Sequence, residues 1–309
     1  MTSALHHVTA IAGSARRNLD FYTGTLGLRL VKKTVNFDDP GTYHFYFGNQ
    51  AGAPGTILTF FPWEHAAPGR PGPGETFETA FRVPESALGF WMQRFIEKGV
   101  RHETPVTRFG DKVLTFQDPD GTRLALTAIA GIDGEPAWSD GGVPEEHAIR
   151  GFFGVTLLLG DAAPTAVILT DVFGFASVGR EGTLERYRAE GAAMGGVVDL
   201  RASGDFPRGR PGAGSVHHIA FRAAGDAEQE RMVRQLAEHH GIHTTEQKDR
   251  NYFRSVYFRE PGGVLFEIAT DDPGFAVDEP AETLGQSLKL PRFLEAQRPH
   301  IESVLPAVA

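Results

Sequence analysis

Leu5 to Ala12 reads LHHVTAIA and Val216 to Ala223 reads VHHIAFRA: one strand pattern, carrying the same pair of histidines, occurs near both ends of a 309-residue chain. Two more stretches fit it, TFETAFRV from Thr76 and RGFFGVTLLL from Arg150. Aligned on these openings, His7, Glu78, Gly154 and His218 share one position and recur every 64 to 76 residues. Near-regular recurrence of that length points to one structural unit used four times. Helical patterns follow the openings over Ala15 to Thr23, Glu85 to Lys98 and Asp226 to His240, the last with Met232, Val233, Leu236 and Ala237 on one face. Units two and four close alike, with QDPDGTRLALTA from Gln117 and REPGGVLFEIAT from Arg259, where a Pro-x-Gly turn feeds an alternating strand. The repeating unit is therefore βαβββ.

This spacing divides the chain into an N-terminal pair of modules over 1–135, a C-terminal pair over 148–272 and a tail over 273–309. The Gly-, Pro- and acid-rich stretch from Gly131 to His147 has no periodicity and reads as the linker, and Ala66 to Gly74 reads as a surface loop between the first two units. The tail holds a short helix pattern from Arg292 to Val304 and is expected to wrap a domain or to serve a dimer contact.

Composition narrows the function. The chain is 41% hydrophobic and 22% charged, and no apolar run approaches the roughly 18 residues of a membrane span. The N-terminus lacks the basic and long apolar regions of a secretion leader, so the expected compartment is the cytoplasm. A net charge of −9 without a basic run argues against nucleic acid, whose binding consists largely of phosphate neutralisation. A small molecule is the expected partner. With no cysteine in the chain, any metal must sit on nitrogen and oxygen ligands.

Strand alternation sorts the candidate residues. His7, Thr9 and Ile11 share one face of their strand, and His6, Val8 and Ala10 the other. In unit four His218, Ala220 and Arg222 oppose His217, Ile219 and Phe221, and the more apolar second set should pack on the helix. His7 and His218 are thereby left on the open face. In the closing strand Val264, Phe266 and Ile268 form the apolar side, and Glu267 lies opposite between Leu265 and Ala269. A carboxylate so flanked is costly unless paired or bound to a cation. Thr59, Ala125 and Leu200 are read at the position of Glu267 in units one to three, so unit four alone keeps a carboxylate there. Two histidines and one carboxylate form the ligand set of non-haem Fe(II) sites that leave adjacent positions open for substrate and oxygen. The same residues also suit hydrogen-bonded structural histidines and a buried pair between Glu267 and Arg222. The remaining histidines, including His102, His147, His239, His240 and His243, sit in polar contexts and read as surface residues.

The fourfold unit, HHVT near the N-terminus, VHHIAF and PGGVLFEIAT together resemble the vicinal oxygen chelate superfamily, which takes in glyoxalases, bleomycin-resistance proteins and extradiol dioxygenases. Within it the likeness is greatest to ring-cleaving hydroquinone dioxygenases and extends over Leu5 to Asp272. The resemblance implies an α+β fold in which the four modules form two cup-shaped mixed β-sheets flanked by helices. It implies an extradiol-type ring-cleaving dioxygenase with Fe(II), or Mn(II) in its place, on His7, His218 and Glu267. The partners would be an aromatic diol of hydroquinone or catechol type and O2, in a homo-oligomer of two or more chains. Arg250 and Tyr257 would assist catalysis in the pocket, and His6, Thr9 and His217 would support the ligands or touch substrate. In catechol enzymes of this group the first histidine comes from the third unit. Here that position is Gly154, which fits the hydroquinone group, in which units one and four share the metal cup and the other cup is a relic or a dimerisation surface. The alternatives on this fold are a glyoxalase-type metal-dependent isomerase or thiol transferase and a metal-free protein that binds aromatic or drug-like ligands. Against the first stands the absence of a second glutamate at Thr59 or Ala125. Against the second stand three ligand-type residues from distant segments.

Overall fold

A computed structural model of the chain describes residues 3–204 and 206–308. Module one comprises β1 (Leu5–Ala12), α1 (Ala15–Leu19), β2 (Arg29–Asn36), β3 (Asp39–Gly48) and β4 (Ile57–Pro62). Module two comprises β5 (Glu75–Pro84), α2 (Leu88–Lys98), β6 (Val106–Arg108), β7 (Asp111–Gln117) and β8 (Arg123–Ile129). Module three follows with β9 (Phe152–Leu159), α3 (Ala163–Asp171), β10 (Phe175–Glu181), β11 (Leu184–Ala189) and β12 (Val197–Ala202). Module four holds β13 (Val216–Ala223), α4 (Asp226–His240), β14 (Lys248–Asp249), β15 (Arg254–Arg259) and β16 (Leu265–Thr270). The βαβββ unit is thus present four times. The helix expected over Ala15 to Thr23 is α at its start and continues as a π turn over Asp20–Thr25, and that over Glu85 to Lys98 opens with a 3-10 turn.

In every module the first strand pairs in parallel with the last, and the other two extend the sheet antiparallel. The first strands then join the modules: β1 pairs antiparallel with β13, and β5 with β9. Two eight-stranded mixed sheets result, β14-β15-β16-β13-β1-β4-β3-β2 from modules four and one, and β10-β11-β12-β9-β5-β8-β7-β6 from modules three and two. The two ends of the chain thereby meet in one sheet.

Alternation explains where the core lies. Val8, Ala10, Ile219, Phe221, Phe266 and Ile268 are fully buried in one continuous cluster, which also takes in Met232 and Leu236 of α4 and Trp91 and Phe95 of α2. Phe221 stacks on Phe173 at 4.0 Å between ring centres. The opposite faces of the sheets are free to form cups.

Of the two roles expected for the tail, the structure shows it wrapping a domain. The fully buried Lys32 of β2 holds Asp278 at 2.6 Å and Glu279 at 2.7 Å, and Leu290, Leu294 and Ile301 bury Val35. A helix at Arg298–Val304, α5, lies within the expected Arg292 to Val304. No helix among the described residues is long and apolar enough to cross a membrane.

Candidate metal centre

β1 and β13 lie side by side, which brings His7 and His218 together, and β16 beside β13 adds Glu267, in register with Ala220. Glu267 Oε2 lies 2.9 Å from His218 Nε2 and 3.3 Å from His7 Nε2. The three ligand-type atoms fall within 4.8 Å of one another, and all three residues are buried. Among the described residues no other histidine, cysteine or carboxylate joins a group of this kind. Glu267 Oε1 accepts a hydrogen bond from Ser255, while Oε2 is buried without a hydrogen-bond partner. Burial works to raise the Glu267 carboxyl, yet the neighbouring His7 and His218 hold it well below the usual carboxylate range. An ionised oxygen, shielded from water and aimed between two imidazole nitrogens, fits a divalent cation. The alternative partner for Glu267 drops out, because Arg222 pairs with Asp271 at 2.6 Å.

Strict alternation does not hold at the first histidine of each pair. The β1–β13 register shifts by one residue between Leu5 and His7 and again opposite Thr9 and Ala10, which leaves His6 and His217 as the extra residues of two β-bulges. Each bulged histidine meets its neighbour: His6 Nδ1 lies 3.0 Å from His7 Nδ1, and His217 Nδ1 lies 2.8 Å from His218 Nδ1. Alternation treats the two alike, but His217 lines the cup, whereas His6 is buried beside Phe253 and also bonds the Thr270 backbone. Burial, with His7 adjacent, lowers His6 to about 3, so its ring is neutral.

The cup encloses a cavity of about 380 Å3. Its lining includes Thr9, Arg250 and Tyr257, with Phe37, Phe61, Trp63 and Phe253 as apolar walls. Tyr257 stands directly across from Glu267 in the β15–β16 register. Arg250 Nε donates to the Tyr257 hydroxyl at 3.2 Å, and its Nη2 reaches Asp38 at 3.1 Å. Burial and the charge of Glu267 push the Tyr257 phenol up, so it keeps its proton. Desolvation works against the Arg250 cation, but Tyr257 and Asp38 raise it overall.

Sequence reading missed His44 and Tyr46, which also line this cavity. The signal lay in TYHFYF over 42–47, where Tyr43, Phe45 and Phe47 supply the core and leave Thr42, His44 and Tyr46 on the opposite, cup-facing side. It also misplaced one carboxylate. Glu267 faces Ala220 in register, and the matching pair in module three is Thr156 with Asp199, so Asp199 and not Leu200 occupies the equivalent position. A one-residue difference moves a side chain to the other face of a strand, and a strand's partner register cannot be fixed from its own residues.

Known proteins resemble this chain along most of its length. A model of the Glyoxalase/Bleomycin resistance protein/Dioxygenase superfamily matches residues 4–126 and 152–268. MhqO of Bacillus subtilis, whose name places it among ring-cleaving dioxygenases, is 48% identical over 305 residues, covering 98% of this chain and 96% of its own. Chlorohydroquinone/hydroquinone 1,2-dioxygenase of Sphingobium indicum is 36% identical over 298 residues, covering 94% and 92%. The crystal structure of a Bacillus subtilis protein assigned to the dioxygenases superposes with a TM-score of 0.95 at 48% identity, over 100% of this chain and 98% of the other. Glyoxalase I from Zea mays, at 13% identity and a TM-score of 0.65 over 87% and 93%, shares the fold.

Proposed function

The chain belongs to the Glyoxalase/Bleomycin resistance protein/Dioxygenase superfamily, and from that membership we propose that it is an Fe(II)-dependent dioxygenase that opens the ring of a hydroquinone-type diol with O2. The cut falls beside a hydroxyl-bearing carbon, as in the extradiol type. The observation that carries the reading is the buried Glu267 Oε2 held between the Nε2 atoms of His7 and His218 at the wall of a largely apolar cup. Two imidazoles and one carboxylate suit Fe(II), and Mn(II) accepts the same donors. Such an ion, when bound, would supply a meeting point for diol and O2 and a route by which electrons of the closed-shell ring reach O2. Thr59, which stands across from Thr9 as Glu267 stands across from Ala220, offers no second carboxylate, and this favours open coordination positions over a four-ligand isomerase site.

The chain's own residues do the remaining work. Were His7 to hold the cation through Nε2, its hydrogen would sit on Nδ1 and donate to Nδ1 of His6, whose own hydrogen would be available to the Thr270 backbone. That bond fixes the tautomer and the ring plane of His7. The Tyr257 hydroxyl accepts from Arg250 and keeps its hydrogen to donate into the cup, while the Arg250 guanidinium favours anionic oxygen there. Phe37, Phe61, Trp63 and Phe253 exclude water and hold an aromatic ring.

The test is to load the purified protein with Fe(II) without oxygen, add hydroquinones and catechols, admit O2, and follow oxygen consumption with the rise of a ring-fission chromophore. Equimolar loss of O2 and diol is expected, with hydroquinones ahead of catechols. Turnover of a thiol adduct without O2, and none of any diol, would overturn the reading in favour of an isomerase.

A further inference from the structure

Along the cup wall runs a row of four hydrogen-bonding groups to which no step above gives a role. The Tyr46 hydroxyl lies 2.9 Å from His44 Nδ1, His44 Nε2 lies 2.8 Å from Thr59 Oγ1, and Thr59 Oγ1 donates to Thr9 Oγ1 at 2.9 Å. Tyr46, His44 and Thr9 line the cavity, and Thr59 is fully buried between His44 and Thr9. Both ends of the row therefore open into the same cup.

Counting hydrogens shows what the row can do. Desolvation, with His7 and His218 nearby, holds the His44 imidazole well below the usual histidine range, so the ring carries one N–H. The row then owns four hydrogens, one each on Tyr46, His44, Thr59 and Thr9, and its three internal bonds use three. One is left for the cup. With Thr59 donating to Thr9, the spare hydrogen is the Thr9 hydroxyl's, and reversing every bond moves it to Tyr46.

We propose that Tyr46, His44, Thr59 and Thr9 form a proton relay with both ends in the cup, which takes a proton from the diol at one end and returns one to the product at the other. The inference rests on the ring-cleaving reading, because ring opening by O2 adds two oxygen atoms and removes no hydrogen. A proton taken from the diol must come back to the product. In balance, the diol O–H bond breaks and its proton joins the Tyr46 oxygen as the Tyr46 hydrogen passes to His44 Nδ1. The hydrogen on His44 Nε2 passes to Thr59, that of Thr59 to Thr9, and that of Thr9 to an oxygen of the opening product. No residue of the row changes charge, and the reverse shift resets it. Thr59 is a positioning residue in this scheme, since it does not line the cup, and His44 passes the proton along the row.

Thr59 is the place to cut the relay, because it touches neither the cup nor the three metal-site residues. In the Fe(II)-loaded enzyme, Thr59→Val keeps the shape and removes the hydroxyl, and Thr59→Ser does the opposite. Loss of a proton-transfer route should lower kcat with hydroquinone about 100-fold in Thr59→Val, with KM and iron content unchanged. Thr59→Ser should stay within about threefold of wild type, since it keeps the donor and acceptor. A packing role predicts the reverse order, so a fully active Thr59→Val, or a Thr59→Ser no better than it, overturns the relay. A separate readout covers the case in which no diol is turned over. The 15N resonances of His44, recorded before iron is added, should show a neutral ring at pH 7 with both nitrogens hydrogen-bonded and lose one bond in Thr59→Val. A charged His44, or a spectrum unmoved by Thr59→Val, refutes the relay whatever the reaction proves to be.

Discussion

The two cups are built from the same modules and closed by the same antiparallel pairing of first strands, yet they treat a buried carboxylate in opposite ways. In the first, Glu267 faces two imidazoles and keeps one oxygen without a hydrogen-bond partner. In the second, Glu78 is taken by Arg108, and both oxygens of Asp199 are taken by Arg186, each at 2.8 Å. The Arg186 guanidinium also lies over Phe109 at 4.2 Å and Phe153 at 5.2 Å. The bulges recur in the second sheet, where they carry Phe77 and Phe153 instead of His6 and His217. The space that results is about 380 Å3 in one cup and about 10 Å3 in the other. A carboxylate in a strand needs a cation, and arginine brings both the charge and the bulk that fills the cup. Among the described residues no arginine pairs with Glu267, and the first cup stays open.

The comparison predicts two different kinds of failure. His7→Ala, His218→Ala or Glu267→Ala should each reduce bound iron, measured by elemental analysis, to below about a tenth of an equivalent and abolish oxygen uptake, because a metal site depends on its full donor set. Asp199→Ala should keep the iron and much of the activity but lower the unfolding free energy by about 3–5 kcal/mol, since it strands the buried Arg186. The contrast breaks if Asp199→Ala loses iron as the others do, or if the three site variants all retain it.

A smaller effect tests whether the second cup could be reopened. Gly154 occupies the position of His218, and a Cβ there would lie 2.0 Å from the Val197 carbonyl oxygen. The nearest atoms, the carbonyl and Cβ of Val197, are not the far end of a flexible side chain, so Gly154→Ala should cost about 3 kcal/mol, read as a fall in the denaturant midpoint. A variant as stable as wild type would mean that glycine is not what keeps this cup shut.

These contrasts also mark how far the sequence could be read. The repeat, the βαβββ unit and the faces of His7, His218 and Glu267 followed from period-two alternation and spacing, which are local properties of each strand. What escaped depends on a partner strand. The bulges at His6 and His217 are features of the β1–β13 register, and the position of Asp199 is a feature of the β12–β9 register. His44 is linked to the site through Thr59 of the next strand. The tail is fixed by Lys32, some 246 residues earlier in the chain. Residue type announces what a side chain needs, but only the assembled sheet says which neighbour supplies it.

The smallest expected effect again concerns a carboxylate of the second sheet, this time one with neither an arginine bond nor a histidine. Glu75, at the start of β5, has one buried oxygen without a partner, and partial burial raises its carboxyl from 4.5 to about 7, with the Gly72 backbone and Arg70 opposing only in part. The folded chain therefore holds this proton more tightly than the unfolded chain. Below pH 4.5 both states are protonated and the contribution to stability is whole. Between pH 4.5 and about 7 the unfolded state ionises first, so stability declines as pH rises and levels off once Glu75 is ionised in both states. Glu75→Gln removes the titration while leaving every other group in place. Denaturation midpoints measured from pH 5 to 8 should thus fall more steeply in wild type than in Glu75→Gln, with the two curves diverging toward high pH in favour of the variant. Parallel curves would mean that water or a shifted Arg70 satisfies the carboxylate, and that the second sheet leaves no acid without a partner.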